Sequence, residues 1–103
     1  MNKKSTLVKY AAAAVAVRRT GGSATLDGLY HYLTYAEMLV ATSNYWNVIH
    51  GRLPNEVSQD SEGLQIMRVL GKNMAWLSKM KEATSGTIQP PSHEKKVVTN
   101  FIR

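Results

Sequence analysis

A basic, glycine-containing loop is the part of this sequence best suited to bind a ligand. It follows a short apolar segment, precedes an amphipathic helical pattern, and consists of Arg18, Arg19, Thr20, Gly21, Gly22 and Ser23. The glycines let the backbone approach a flat or anionic ligand, and the arginines supply positive charge. Loops of this kind, between a strand and a helix, form the ligand sites of open α/β sheets. The sequence therefore predicts that this loop binds a cofactor.

The remaining residues give little support to other site chemistry. The three histidines, His31, His50 and His93, fall in a helix, a loop and a tail, so we do not expect a metal site. Ser43 has no His and Asp partners at a recognisable spacing, so a hydrolase is not expected. The chain has no cysteine, which excludes disulfides and cysteine-ligated metals. This composition fits a reducing compartment, and we expect a cytoplasmic protein.

The size and charge of the chain limit its class. Its 103 residues make one small domain, and its apolar fraction of 44% is ordinary for a globular core. The net charge of +6 would suit a polyanion, but the basic residues are spread along the chain. We therefore do not expect nucleic acid as a partner, although a small nucleic-acid binder is kept as an alternative function. Its test is binding that weakens steeply with salt.

No segment resembles a membrane anchor. The longest apolar run is about eight residues, whereas roughly 20 are needed to cross a bilayer. The lysines and alanines near the start resemble a signal peptide, but Arg18 and Arg19 follow directly and no small-residue cleavage pattern precedes them. We therefore expect neither membrane contact nor secretion.

Apolar patterning predicts a strand, a helix and a second strand in the first half of the chain. The first strand spans residues 7–17, and its segment 11–17 reads as a buried central strand, although the alanines also allow a helix. Ser23 or Thr25 would cap the helix. Residues 37–41 form the second strand, and 42–47 follow as a polar and aromatic loop. Gly51, Pro54 and Asn55 then keep the chain irregular as far as Val57. The expected inner face of the helix is Leu26, Leu29, Tyr30, Leu33 and Ala36.

A long helix is the clearest element of the second half. Ser58 or Asp60 would cap it, and its acidic first turn suits the helix dipole. Beyond residue 83, a loop and tail over residues 84–103 end in Phe101 and Ile102, which we expect to dock on another surface. The apolar stripe of the helix is Leu64, Met67, Leu70, Met74 and Leu77, widened by Ile66, Val69 and Trp76.

The order strand, helix, strand, helix predicts a parallel sheet with crossover helices. Two strands alone leave sheet edges open and faces uncovered, so we expect this chain to belong to a larger sheet.

Several short motifs occur in an order that is specific when taken together. They are Arg18-Arg19-Thr20-Gly21-Gly22, Glu37-Met38-Leu39-Val40, Ser43-Asn44-Tyr45-Trp46-Asn47, Asp60-Ser61-Glu62-Gly63, Leu70-Gly71-Lys72-Asn73-Met74-Ala75-Trp76 and Thr99-Asn100-Phe101-Ile102-Arg103. Over nearly the whole chain, this series resembles the C-terminal half of the NADPH-dependent FMN reductase family of flavodoxin-like flavoproteins.

The resemblance implies a flavodoxin-like α/β fold, of which residues 1–83 would be the C-terminal β-α-β-α portion. It further implies an FMN-dependent oxidoreductase that uses NADPH or NADH, the flavin doing the redox chemistry. Loop residues 18–23 would face the isoalloxazine ring, and Tyr45 and Trp46 would be aromatic contacts near the subunit interface of a homo-oligomer. No acid–base residue is required, and the residues do not decide between NADH and NADPH.

One part of the family pattern is missing. The Gly-Ser-x-Arg phosphate loop and the middle flavin loop do not occur in this sequence. We therefore expect the C-terminal half of a domain, completed by an N-terminal half or by a second copy. Whether the chain is itself an enzyme stays open. The alternative is a non-catalytic half-domain that acts as an interaction or dimerisation module.

Overall fold

The computed structural model describes residues 9–101, which alternate between short strands and helices. A single 3₁₀ turn, Val57–Gln59, precedes the second helix. In chain order the elements are β1 (Lys9–Ala11), β2 (Val15–Val17), α1 (Gly22–Tyr35), β3 (Met38–Val40), β4 (Val48–His50) and α2 (Ser61–Thr84).

The strands form two short parallel pairs. β1 pairs with β3, and β2 pairs with β4. The chain is therefore a mixed α/β protein with parallel pairing, as the sequence predicted. The strand expected at 7–17 corresponds to β1 and β2, with its first two residues outside the described part of the chain. The strand expected at 37–41 corresponds to β3, whereas β4 was missed.

The β1–β3 and β2–β4 pairs follow one another along the same two chain segments, but the segment that contains β3 and β4 has extra residues between its strands. Val40 pairs with Ala11, an offset of 29, whereas Val48 pairs with Val15, an offset of 33. The β3–β4 side therefore has four more residues between the pairings than the β1–β2 side, and residues 42–47 leave the ladder there as a bulge loop. Hydrogen bonds close the ladder on both sides of this loop, from Ala41 N to the Ala11 carbonyl (2.8 Å) and from Val15 N to the Asn47 carbonyl (2.9 Å).

The two helices cover opposite faces of the strands. A Cβ at Gly22, the first residue of α1, would lie 2.8 Å from Val48 Cγ1. A Cβ at Gly63, in the first turn of α2, would lie 2.6 Å from Ile49 Cγ1. Because neighbouring residues of a strand point to opposite faces, α1 and α2 pack on different sides of β4. Each helix has a glycine in its first turn, and the missing side chain lets the helix lie close to the sheet there.

The core is small. Its buried apolar residues are Leu26, Ala41, Ile49, Ile66 and Leu70. The prediction that residues 11–17 form a buried strand is wrong, since Ala14 and Ala16 are exposed. The physical reason is that β1 and β2 each have one neighbouring strand among the described residues, so one edge stays open.

Helix α1 begins differently from the sequence-based expectation. Its N-cap is Gly21 in the left-handed region, with φ 89°, and no side chain caps it. Ser23 and Thr25 lie inside the helix, and Thr25 N donates to the Gly21 carbonyl at 3.0 Å. The predicted Ser or Thr cap is therefore wrong, because glycine reaches the required backbone angle without a side chain.

The predicted inner face of α1 is correct for only some of its residues. Leu26 is fully buried, and Tyr30 and Leu33 are half-buried. Leu29 and Ala36 are exposed, because α1 covers a narrow pair of strands that its outer residues overhang.

Helix α2 agrees with the sequence at its start. Asp60 is the N-cap, and its side chain accepts a hydrogen bond from Gly63 N. Ile66 and Leu70 are buried, and the other predicted stripe residues except Trp76 are half-buried. Trp76 is 61% exposed and does not widen the packed face.

The chain after α2 lies on the surface. Residues 89–101 form neither helix nor strand and are exposed, including Phe101 at 77%. Phe101 therefore does not dock on the core of its own chain, and Ile102 lies outside the described residues. Neither helix of the described region has the length and hydropathy that a bilayer crossing requires.

Candidate functional site

The loop of residues 18–23 lies at the carboxyl end of β2. Arg18, Arg19, Thr20 and Gly21 are exposed, and Gly22 is buried as the first residue of α1. This edge of a parallel sheet is where open α/β folds bind ligands. The structure therefore brings together the six predicted loop residues at the end of the strand pair where a ligand site is expected.

The two glycines of this loop have different roles. Gly21 has φ 89°, and nothing lies within 4 Å of a Cβ placed there, so the backbone faces open space. Gly22 lies against the sheet, where an added Cβ would be 2.8 Å from Val48 Cγ1 and 3.5 Å from Val17 Cγ1. Gly22 therefore sets the close approach of α1 to β2 and β4. Gly21 leaves room for a ligand in front of the loop.

The N-terminus of α1 offers unpartnered backbone donors. The helix has no side-chain cap and no acidic residue in its first turn. Its first backbone bond runs from Thr25 N to Gly21, so the N–H groups before Thr25 have no helical acceptor. Together with the exposed guanidinium groups of Arg18 and Arg19, they favour a negatively charged or carbonyl-rich ligand.

Two carboxylates accept hydrogen bonds from the backbone at the carboxyl end of the neighbouring strand β4. Asp60 accepts from His50 N and from Gly63 N, each at 2.9 Å. Glu56 accepts from Arg52 N and Leu53 N, each at 2.8 Å. These backbone donors hold the pKa of both carboxyl groups below the ordinary range, and for Asp60 the Gly63 N–H has the largest effect. The acidic groups near β4 are thus already paired, whereas the α1 terminus is open.

The lowered pKa of Asp60 predicts a pH-dependent stability. A carboxyl group whose pKa is lower in the folded state stabilises the fold at neutral pH, and this contribution is lost as the pH falls below about 4. An asparagine amide has one acceptor oxygen where Asp60 uses two, so we expect Asp60→Asn to lower the Tm at pH 7 by about 5 °C and to flatten the decline of Tm between pH 5 and 3. Thermal unfolding followed by circular dichroism at several pH values measures both effects.

Glu62→Gln is the matched control, because Glu62 is an exposed carboxylate in the first turn of the same helix. It should keep the acid dependence of the parent chain. If the Tm of the Asp60→Asn variant falls between pH 5 and 3 as steeply as that of the parent chain, the assigned hydrogen bonds are contradicted.

Tyr45 and Trp46 do not lie at this edge. They belong to the bulge loop, with 63% and 56% of their surfaces exposed, and their ring centroids are 6.3 Å apart. The loop ends at Asn47, whose carbonyl accepts from Val15 N, and Val15 lies three residues before Arg18, about 10 Å along the strand. The structure therefore separates the predicted site residues into the loop at 18–23 and an aromatic pair elsewhere on the surface.

Asn47 is a buried residue that the sequence did not single out. Its Nδ2 donates to the Ala13 carbonyl at 2.9 Å and lies 3.3 Å from the Tyr30 hydroxyl, and its Oδ1 accepts from Ser43 Oγ at 2.5 Å. Asn47 thus bridges the gap between the two strand pairs. Burial, followed by the nearby charge of Asp27, raises the pKa of Tyr30 above its ordinary value. An asparagine in a polar loop gave no sequence signal for this role.

A separate cleft among the described residues lies elsewhere. Its volume is about 440 Å³, and it is bounded by Glu37 and by tail residues 91–97. Glu37 precedes β3, at the amino end of the strands, so this cleft lies at the opposite end from the loop at 18–23. We do not assign it to the candidate site.

The loop offers donors that a flavin ring could use. The guanidinium groups and free N–H groups match the carbonyl oxygens of an isoalloxazine ring, and the space in front of Gly21 is open. Arg18, Arg19 and the backbone of residues 20–23 would hold that edge. The loop also contains the hydroxyls of Thr20 and Ser23, and no histidine or carboxylate belongs to it.

A comparison of the chain with protein-family models, with curated proteins and with solved structures finds no match in any of the three.

Proposed function

We propose that this chain is the flavin-ring-binding part of a cytoplasmic, flavodoxin-like FMN-dependent NAD(P)H oxidoreductase. The observation that carries the proposal is the loop 18–23, which is exposed except at Gly22 and leads into an uncapped helix at the carboxyl end of a parallel strand pair. The ordered motifs that resemble the NADPH-dependent FMN reductase family support it. So does the strand-helix-strand-helix order of the described residues.

The residues of the chain bind and orient the cofactor in this proposal. Bound FMN supplies hydride and electron transfer between NADPH or NADH and an acceptor. Arg18 and Arg19 donate to the carbonyl edge of the ring, and Gly21 allows its close approach. Gly22 fixes the loop against β4. The FMN phosphate is held by a segment outside this sequence, in an N-terminal half or a partner chain.

A flavin titration of purified chain tests the proposal. We expect addition of the protein to quench FMN fluorescence, and Arg18→Gln/Arg19→Gln to weaken binding at least tenfold, because two charge-assisted donors are lost. The control Lys72→Gln/Lys79→Gln removes the same charge from exposed positions of α2 and should change Kd less than twofold. Absence of quenching by the parent chain, or equal losses in both variants, would contradict the proposal.

A non-catalytic half-domain is the second candidate. It is favoured by the small core and by the open edge of β1 and β2, since a two-stranded sheet is marginal alone. In this case the chain pairs with itself or with a complementing N-terminal half and needs no flavin. Sedimentation velocity of the flavin-free protein measures its oligomeric state. A dimer that does not bind FMN in the titration supports this function, and a stable monomer excludes self-association.

A further inference from the structure

The outer face of helix α2 has an exposed tryptophan among basic residues. Arg68, Lys72, Trp76 and Lys79 follow one another at intervals of four, four and three residues, so they lie along one face of the helix. All four are exposed, Trp76 by 61%. The basic residues are spread along the sequence, but the helix brings three of them together with an aromatic ring. We call these four residues the α2 stripe.

The charges of the α2 stripe are available to a ligand. None of its three cations forms a salt bridge in the part of the chain that the structure describes. The acids of the helix, Glu62 and Glu82, lie before and after the stripe in the chain. The packed face of α2 is occupied by Ile66 and Leu70, so the ring of Trp76 is not part of the core. The stripe is about 16 Å long at the helical rise of about 1.5 Å per residue.

The bulge loop lies along one side of the α2 stripe. Two side-chain hydrogen bonds attach it to the helix, from Asn44 Nδ2 to Gln65 Oε1 (3.2 Å) and from Asn73 Nδ2 to the Thr42 carbonyl (2.6 Å). The two residues of α2 that make these bonds stand before and after the first two cations of the stripe. The exposed aromatic pair of the loop follows directly after Asn44, so its backbone lies at the border of the stripe.

The combination of cations and an exposed aromatic ring favours one class of ligand. A single-stranded nucleic acid offers phosphates to the cations and unpaired bases to the ring of Trp76. A duplex has its bases stacked on one another, so it would use the cations alone. A lipid surface requires a helix whose apolar face is exposed, whereas the apolar face of α2 packs against the strands.

We propose that the α2 stripe, bordered by the aromatic pair of the bulge loop, binds single-stranded nucleic acid. Arg68, Lys72 and Lys79 contact phosphates, and a base stacks on Trp76. Charge and stacking do not distinguish one base from another, so the site has little sequence preference. The stripe lies on the α2 side of the strands, whereas the loop at 18–23 leads into α1 on the other side. Nucleic-acid binding is therefore independent of the proposed flavin function.

Fluorescence anisotropy with labelled oligothymidylate and oligouridylate of about 20 nucleotides tests the charge contacts. Three phosphate contacts to a single strand predict that Kd rises about 20-fold between about 50 and 200 mM salt. Arg68→Gln/Lys72→Gln leaves one contact and should reduce this rise to about threefold. The matched control, Lys95→Gln/Lys96→Gln, removes the same charge from the exposed tail and should keep the salt dependence of the parent chain. Binding of either oligonucleotide supports the proposal, and the tighter one identifies DNA or RNA as the ligand.

Trp76→Ala tests the stacking contact separately. We expect it to raise Kd about tenfold and to leave the salt dependence unchanged, because the ring has no charge. Tyr35→Ala is the control, since Tyr35 is a 92% exposed aromatic residue at the end of α1, on the other side of the strands. It should change Kd less than about twofold, as expected for a residue outside the site.

The fluorescence of Trp76 is a second readout that does not depend on affinity. In a Trp46→Phe chain Trp76 is the one remaining tryptophan, and we expect saturating oligothymidylate to quench it. Heparin has negative charge but no bases and should leave this fluorescence unchanged. The proposal is overturned by a parent chain that binds neither oligonucleotide, by equal losses in Trp76→Ala and Tyr35→Ala, or by oligonucleotide binding without quenching.

Discussion

Leu26→Ala is expected to remove a large part of the stability of this protein. Leu26 is fully buried in the first turns of α1, and it is one of five buried apolar residues among those described. Truncation of a buried leucine to alanine costs about 2–5 kcal/mol, since apolar contacts are lost and a cavity remains. Natural domains are stable by only about 5–15 kcal/mol. Urea unfolding followed by circular dichroism should therefore show a strongly reduced midpoint.

Leu29→Ala is the matched control for this prediction. Leu29 lies three residues later in the same helix but is 38% exposed. Its truncation should shift the midpoint far less, since water already covers part of its surface. Equal losses at the two positions would mean that α1 does not pack with the face that contains Leu26.

Asn47→Ala is the second substitution with a large expected effect. Asn47 is fully buried and connects the bulge loop to the first strand through Ala13, and to α1 through the hydroxyl of Tyr30. Alanine would leave the Ala13 carbonyl without this donor. A buried polar group without a partner costs about 1–3 kcal/mol. The measurement is the free energy of unfolding from urea titrations at neutral pH.

Asn44→Ala is the control that shows whether the loss of any asparagine from this loop has the same effect on stability. Asn44 lies in the same loop, is exposed, and donates to Gln65 on α2 at 3.2 Å. Its removal should cost a few tenths of a kcal/mol, as for most exposed hydrogen bonds. The bridging role of Asn47 is refuted if the Asn44 variant is destabilised as much as the Asn47 variant.

The larger elements of the fold could be predicted from sequence because their patterns are long. Asp60 is one of the two caps that the sequence offered for α2, and the periodic apolar positions of this helix other than Trp76 pack as predicted. Strand β4 was missed because its three residues follow a polar loop and precede Gly51, so neither length nor alternation identified it. The start of α1 was misassigned because serine and threonine are the usual caps, whereas here a left-handed Gly21 takes the position.

The candidate site was predictable only in its local part. The loop 18–23 is contiguous, so the sequence alone grouped its residues. The placement of Tyr45 and Trp46 depends on how many residues lie between β3 and β4, and the residue types do not indicate that number. The pairing of His50 with Asp60 depends likewise on the fold, since ten residues separate them along the chain.

The bulge loop also determines the direction in which this sheet can be extended. On the side of β3 and β4, the extra residues between Val40 and Val48 interrupt the outer edge after three residues, so an incoming strand would find no continuous row of backbone partners there. On the other side, the chain passes from Ala11 to Val15 without extra residues and with small side chains. The edge of β1 and β2 is therefore the better suited of the two to an additional strand, from this polypeptide or another.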